Sequence, residues 1–271
     1  MDGTTFRQAL HDGRRVFGTC VISESPLWPR AIAKAGLDFV FIDTEHTTLN
    51  RTQVAWMCQL YGAHGIAPIV RLPSPDVNAA ANVIDTGAAG IIAPYVESPD
   101  VVRELTGAVR NRPLKGRRLQ ETLAGKALEP ELDRYLRERN DRHSLIINIE
   151  SVPAIENLKE IVAVPGVDGV LIGPHDLSCS LGIPEQYDHP DFMAAVQTIF
   201  STARAANIGA GMHYTGTVEK QVDFLNMGAN MLIHGADVMI FAEHLTNDVA
   251  AMRTAIGETP SRDDAGPQEH I

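Results

Sequence analysis

LIINIESVPAIENLKEIVAVPGVDGVLIGPHDLSCSL, residues 145–181, fixes the fold class of this chain. It opens with an apolar strand at 145–149 that ends in Glu150. A helical segment follows, then a second apolar strand, Gly169–Ile172, which runs into Gly173-Pro174-His175-Asp176. A strand, a helical crossover and a second strand make a βαβ unit, whose two strands must lie parallel. Glu150 and Asp176 therefore emerge at the same carboxyl edge, where open sheets and α/β barrels alike bind their ligands. Two acids there, with no cation beside them in sequence, either repel each other or share a metal ion. We read them as metal ligands, although each also precedes a helix start that it could cap.

Outward from this unit the same module recurs: a helix, a capping Gly or Asn, a short β-branched strand, then a polar or Pro-containing loop. It is seen in KAGLDFVFIDTEH, AHGIAPIVRLPSP, DTGAAGIIAPYVES, AANIGAGMHYTG and MGANMLIHGAD. Gly36, Gly65, Gly87, Gly166, Asn207 and Gly228 stand where a helix end needs the left-handed conformation. With strands at 16–23 and 144–150 the total is eight, and helices are expected at 52–63, 98–110, 189–206 and 217–227. Eight alternations predict a single-domain α/β fold, a closed (β/α)8 TIM barrel over residues 1–256. A doubly wound open sheet would use the same alphabet. Residues 111–143 read as a long insert after the fourth strand, a basic loop and then a helical run, expected to act as a lid or substrate contact. Residues 257–271 read as a disordered tail.

The chain of 271 residues is 44% apolar and carries 23 basic against 34 acidic side chains, a formal charge of −11. Such a surface repels nucleic acid, so no nucleic-acid partner is expected. No segment reaches about 18 uninterrupted apolar residues and the first residues lack a signal-peptide pattern, so no membrane partner is expected either. Cys20, Cys58 and Cys179 form no CxxC pair, which fits a reduced cytoplasmic setting.

The residues just past each strand are the candidate site: Asp43, Glu45 and His46, then Arg71, Glu150, His175 with Asp176, His213 and His234. Glu150 and Asp176 offer hard oxygen ligands suited to a divalent ion such as Mg²⁺ or Mn²⁺. Arg71 ends an apolar strand, where a guanidinium must pair with a carboxylate or an anionic substrate. Asp43, three residues before His46, could orient its imidazole. No lysine lies at a strand end, so Schiff-base chemistry lacks its amine. GxGxxG after the first strand, GxxxxGK[ST] and GxSxG are all absent. Metal-assisted carbonyl chemistry remains.

FIDTEH, PIVRLP, NIES and GVDGVLIGPHDLSCSLG, in that order, resemble the HpcH/HpaI family of class II pyruvate aldolases over roughly residues 5–255. The resemblance implies a lyase that cleaves a 4-hydroxy-2-oxoacid to pyruvate and an aldehyde, with Mg²⁺, Mn²⁺ or Co²⁺ held by Glu150 and Asp176. It further implies that Arg71 contacts the pyruvate oxygens, that His46 supported by Asp43 is the acid/base, and that Asp85 lies near the site in the oligomer. A hexamer, or trimer of dimers, with the helix at 236–255 exchanged between barrels, belongs to the same expectation. Three positions depart from the family: Asn148 replaces a frequent Gln, His175 replaces Ala or Asn, and Leu119 replaces a Gly in the loop holding Lys115, Gly116 and Arg118. Asn148 and His175 are expected to touch substrate. Two alternatives are a citrate-lyase-like or phosphoenolpyruvate-type lyase on the same barrel, and a non-catalytic barrel that binds a 2-oxoacid.

Overall fold

A computed structural model describes residues 1–258. Among them, eight strands close into one barrel in chain order: β1 (Val16–Val21), β2 (Phe39–Asp43), β3 (Ala67–Arg71), β4 (Gly90–Ala93), β5 (Ser144–Asn148), β6 (Gly169–Ile172), β7 (Gly209–Tyr214) and β8 (Met231–Ala236). All neighbours are parallel, and β8 returns to β1 with Val16 opposite Met231. The expected helices appear as Arg51–Ala63, Pro99–Arg110, Pro190–Ala205 and Val218–Asn226. All six expected helix ends have positive φ, Asn207 among them at 56°. An asparagine tolerates that conformation better than most side chains. Of the tail expected at 257–271, residues 259–271 lie outside the described residues. No helix among the described residues is long and apolar enough to cross a membrane.

Strand residues alternate between two environments, as a two-residue period requires. Phe39, Phe41, Ala67, Ile69, Ile92, Ile146, Leu171, Met231 and Ile233 fill the barrel interior. Their neighbours in sequence face the helices: Val40 and Ile42 pack against helix Arg51–Ala63, and Ile147, Val170 and Met212 join the large outer core. This parity places Asp43, Arg71, Asn148 and His213 on the inward side near the carboxyl ends of their strands.

The amino end is plugged by helix Gly3–Asp12, which buries Phe6, Ala9 and Leu10. Below the plug, Asp168 is fully buried just before β6. One of its oxygens accepts from Arg7 Nε at 2.7 Å and meets His11 Nε2 at 2.8 Å. The other accepts from the Leu145 amide at 2.8 Å and pairs with Arg110. Burial opposes its charge, but the His11 bond and the charges of Arg110 and Arg7 hold its carboxyl below the ordinary range.

The insert lies elsewhere than its sequence suggested. Helix Pro99–Arg110 has already carried the chain back to the amino end, so residues 111–143 pack there and cover no ligand face. Asn140 Nδ2 donates to the carbonyls of Arg110 and Arg112, which ties the insert to the end of that helix. The basic stretch expected as a loop contains helix Gly116–Leu123. Leu119 and Leu123 close over Gly107, where an added Cβ would stand 3.3 and 3.2 Å from them. That apolar contact selects the helix, and Leu119 serves packing.

Asp168→Ala leaves Arg110 buried without its partner and should cost about 3–5 kcal/mol of stability at neutral pH. A depressed folded pKa contributes fully above the unfolded pKa and is lost as pH falls through the folded one. Urea unfolding should therefore show a gap between wild type and variant that narrows in acid; a gap constant with pH would mean that lost packing, not charge, is responsible.

Candidate active site

Asp43 and Arg71 are register partners at the inward ends of β2 and β3. Arg71 donates from Nε to Asp43 Oδ1 at 2.8 Å and from Nη2 to Oδ2 at 2.7 Å, a two-pronged pair. Glu45 Oε2 lies 3.2 Å from the same Nε, and the guanidinium stands 5.1 Å from the centre of the Phe41 ring. Burial works against the charge on Arg71, yet Asp43 and Glu45 hold its pKa above the ordinary value. Burial likewise opposes ionisation of Asp43, and Arg71 outweighs it. Both of Asp43's oxygens are thus engaged by Arg71, with Oδ1 also accepting the Glu45 amide at 3.0 Å. It does not orient His46 as expected. His46 sits beyond the strand, 45% exposed, with Glu45 Oε1 3.7 Å from its Nε2.

Glu150 and Asp176 do converge, and neither caps a helix. Ser151 caps helix Val152–Glu156, while Asp176 lies in the first turn of helix Pro174–Ser180, behind Gly173. Glu150 Oε1 accepts from the Tyr95 amide at 2.8 Å, and Oε2 accepts from Asn148 Nδ2 at 2.9 Å. A Cβ on Gly173 would stand 3.2 Å from Glu150 Oε2 and 3.4 Å from Asp176 Oδ2. Both carboxylates therefore face the small space left by that missing side chain. Burial raises the Glu150 pKa, the charges of Asp176 and Glu45 add to the rise, and the Tyr95 amide and Asn148 oppose it. Two oxygen donors around a void, with mutual repulsion uncompensated, fit a hard divalent cation. Among the described residues no group of three or more His, Cys, Asp or Glu could hold an ion, so remaining ligands would be water or substrate oxygens.

A cavity of about 540 Å³ opens beside these groups, lined by His46, Arg71, His175, Asp176, Tyr187 and His213, among others. A larger one, about 780 Å³, lies at the amino end beside Asp85 and Arg112. The reactive side chains gather at the smaller, which is where barrels place their chemistry. His175 borders it, with Nδ1 3.7 Å from Glu185 and Nε2 4.0 Å from Cys179 Sγ. Asn148 is buried and spends its amide on Glu150, leaving Oδ1 without a partner. It supports a carboxylate; it does not line the cavity as a substrate contact. Asp85 ends helix Val77–Asp85 at the amino end and pairs with Arg112, far from the cavity of its own chain. Sequence reasoning offered Arg71 a carboxylate partner without identifying it as Asp43, and left out the Tyr95 amide and the space at Gly173. That partner was signalled by parity along β2, where Phe39, Phe41 and Asp43 share one face.

A model of the HpcH/HpaI aldolase/citrate lyase family matches residues 17–243. The chain belongs to this family. The 2-keto-3-deoxy-L-rhamnonate aldolase of Salmonella gallinarum is 30% identical over 249 residues, 92% of this chain and 93% of that protein. Among solved structures, an HpcH/HpaI aldolase from Desulfitobacterium hafniense superposes with a TM-score of 0.81 at 27% identity, covering 94% of this chain and 98% of that one. The citrate synthase SbnG gives 0.80 at 30% identity, covering 93% and 98%. Membership in the HpcH/HpaI family agrees with the closed barrel and with the motifs on its carboxyl ends.

Gly173 has φ −86° and ψ 100°, which alanine adopts freely. Gly173→Ala should therefore fold normally while its methyl crowds both carboxylates. Titration calorimetry with Mn²⁺ should show affinity reduced by about tenfold or more, the scale of disturbed ligand support; unchanged affinity would separate Glu150 and Asp176 from ion binding.

Proposed function

We propose that this protein is a divalent-metal-dependent aldolase that cleaves a 4-hydroxy-2-oxoacid to pyruvate and an aldehyde. The observation that carries this reading is one cavity edge bearing a carboxylate-locked guanidinium and two carboxylates that face a common void. Glu150 and Asp176 would hold Mg²⁺, Mn²⁺ or Co²⁺, which when bound supplies Lewis-acid polarisation of the 2-oxo group. Arg71, held in direction by Asp43, binds the substrate carboxylate and the oxygen on which charge develops as the C3–C4 bond breaks. The bond pair moves to C3 and onto that oxygen, and the C4 hydroxyl proton must leave for the aldehyde to form. His46, beside Glu45 and open to the cavity, receives that proton; in the addition direction it returns it to the C4 oxygen. Protonation at C3 then gives pyruvate. Asn148 and the Tyr95 amide keep Glu150 aimed at the void.

The relative's name supports this choice, because a 2-keto-3-deoxy sugar acid has the 2-oxo group and the unsubstituted C3 that a retro-aldol cleavage needs. A second reading, carbon–carbon bond formation of the citrate-synthase kind, is favoured by the likeness to SbnG. Assembly with further copies of the chain is part of the proposal. Helix Asp237–Ala255 exposes Ile240, Phe241, Leu245 and Met252 along its length, a surface suited to another barrel.

Exchange of the pyruvate methyl protons in D₂O, followed by NMR, tests the enolate step without knowledge of the aldehyde. Exchange should require added divalent ion and vanish in Glu150→Ala. Arg71→Ala should slow it about 100-fold or more, as expected for loss of a donor to developing charge. Bound pyruvate that never exchanges with any of the three ions would leave a silent oxoacid-binding barrel. Exchange without cleavage of hydroxyoxoacids would favour the citrate-synthase kind of reaction.

A further inference from the structure

His213 is the last but one residue of β7, on the inward face and lining the cavity, and has no part in the chemistry above. Its ring meets Phe41 edge-on at 5.4 Å. Nε2 lies 3.1 Å from the Gly235 carbonyl oxygen, and a carbonyl can only accept. The proton is therefore on Nε2. Burial, with Arg71 nearby, lowers the imidazole pKa to about 4, so the ring is neutral at pH 7. Nδ1 is left as a lone-pair acceptor, with no hydrogen-bond partner among the described residues, on a side chain that borders the cavity.

The surroundings restrict what can face that lone pair. Tyr187, Tyr214, Thr215 and Gly216 make up the adjoining wall, and Arg71 is the cavity's one guanidinium or ammonium group among the described residues. The nearby Lys220 is directed away, its Nζ paired with Asp188 and 5.6 Å from the Phe224 ring. A carboxylate on the far end of a substrate would find no counter-ion here and would oppose its own lone pairs to Nδ1. A methyl group would leave Nδ1 desolvated and unpaired. A hydroxyl group can donate.

We propose that His213 selects the aldehyde fragment, accepting a hydrogen bond from a hydroxyl group of a neutral hydroxyaldehyde. This rests on the aldolase reading of the same cavity and adds to it the class of the second product and the residue that recognises it. His213 is a binding residue for that fragment; the proton at the C4 oxygen is handled elsewhere.

The test runs the reaction as addition, with pyruvate, Mn²⁺ and either glycolaldehyde or acetaldehyde, which differ by one hydroxyl. The readout is the ratio of the two kcat/KM values, which cancels any loss common to both aldehydes. Wild type should favour glycolaldehyde. His213→Leu should reduce that ratio by about tenfold or more, the scale of one buried hydrogen bond. His213→Asn, which keeps an acceptor near the position of Nδ1, should recover part of it. An unchanged ratio in His213→Leu, or equal use of both aldehydes by a wild type that exchanges the pyruvate methyl protons, overturns the assignment and leaves the aldolase reading standing. If the leucine variant does not fold, the ratio in His213→Asn against a His213→Gln variant carries the same comparison: recovery in the first alone supports the assignment, and a wild-type ratio in both overturns it. A wild type that neither exchanges pyruvate protons nor adds any aldehyde overturns the aldolase reading, and this proposal with it.

Discussion

A guanidinium inside a barrel of Phe, Ile and Leu must be neutralised on the spot, and Asp43 does so through two parallel hydrogen bonds. Neither partner could be buried alone: Arg71 is 7% exposed and Asp43 is fully enclosed. Their mutual dependence fixes both side chains before any ligand arrives, so no rotamer freedom is left to lose on binding. The same pair explains the neighbouring groups. Phe41 supplies a face beneath the cation, Glu45 adds a second negative charge at the rim, and the positive field helps keep His213 unprotonated.

Charge at the rim is divided between two sides. On one, Arg71 is already paired yet remains open to the cavity. On the other, Glu150 has two amide donors, but neither it nor Asp176 has a cation among the described residues, and burial, with the charge of Asp176 adding to it, raises the Glu150 pKa. A 2-oxoacid with a divalent ion is the complement of this arrangement: the cation relieves the carboxylates, and the anionic end meets the guanidinium. The space where these charges converge exists because residue 173 has no side chain.

The barrel was legible because each strand announces itself by an apolar run and each helix end by a Gly or Asn. Glu150 and Asp176 were legible for a related reason: parallel strands put their ends on one edge, whatever the register. Partnerships across strands were not. Asp43 was matched to His46 because three residues separate them, but the register of β2 against β3 places it opposite Arg71. The family resemblance puts Asn148 on the substrate, whereas in the folded barrel its amide turns back to Glu150. The insert is a different case, since its position could have been counted. A segment that follows a returning helix must lie at the amino end, and residues 111–143 follow Pro99–Arg110.

Asp168 gathers ligands from far apart along the chain: Arg7 is 161 positions away, His11 157, Arg110 58 and the Leu145 amide 23. During synthesis from the amino terminus, the first helix therefore has no acid to dock against until more than half of the protein has been made. Its apolar face, with Phe6 and Leu10, must wait through that interval without its cover. Closing so long a loop carries an entropic cost that only simultaneous burial of the plug can offset. Helix Gly3–Asp12, made well before Asp168, is thus among the last elements to be secured, and its apolar face is open to wrong partners throughout that interval.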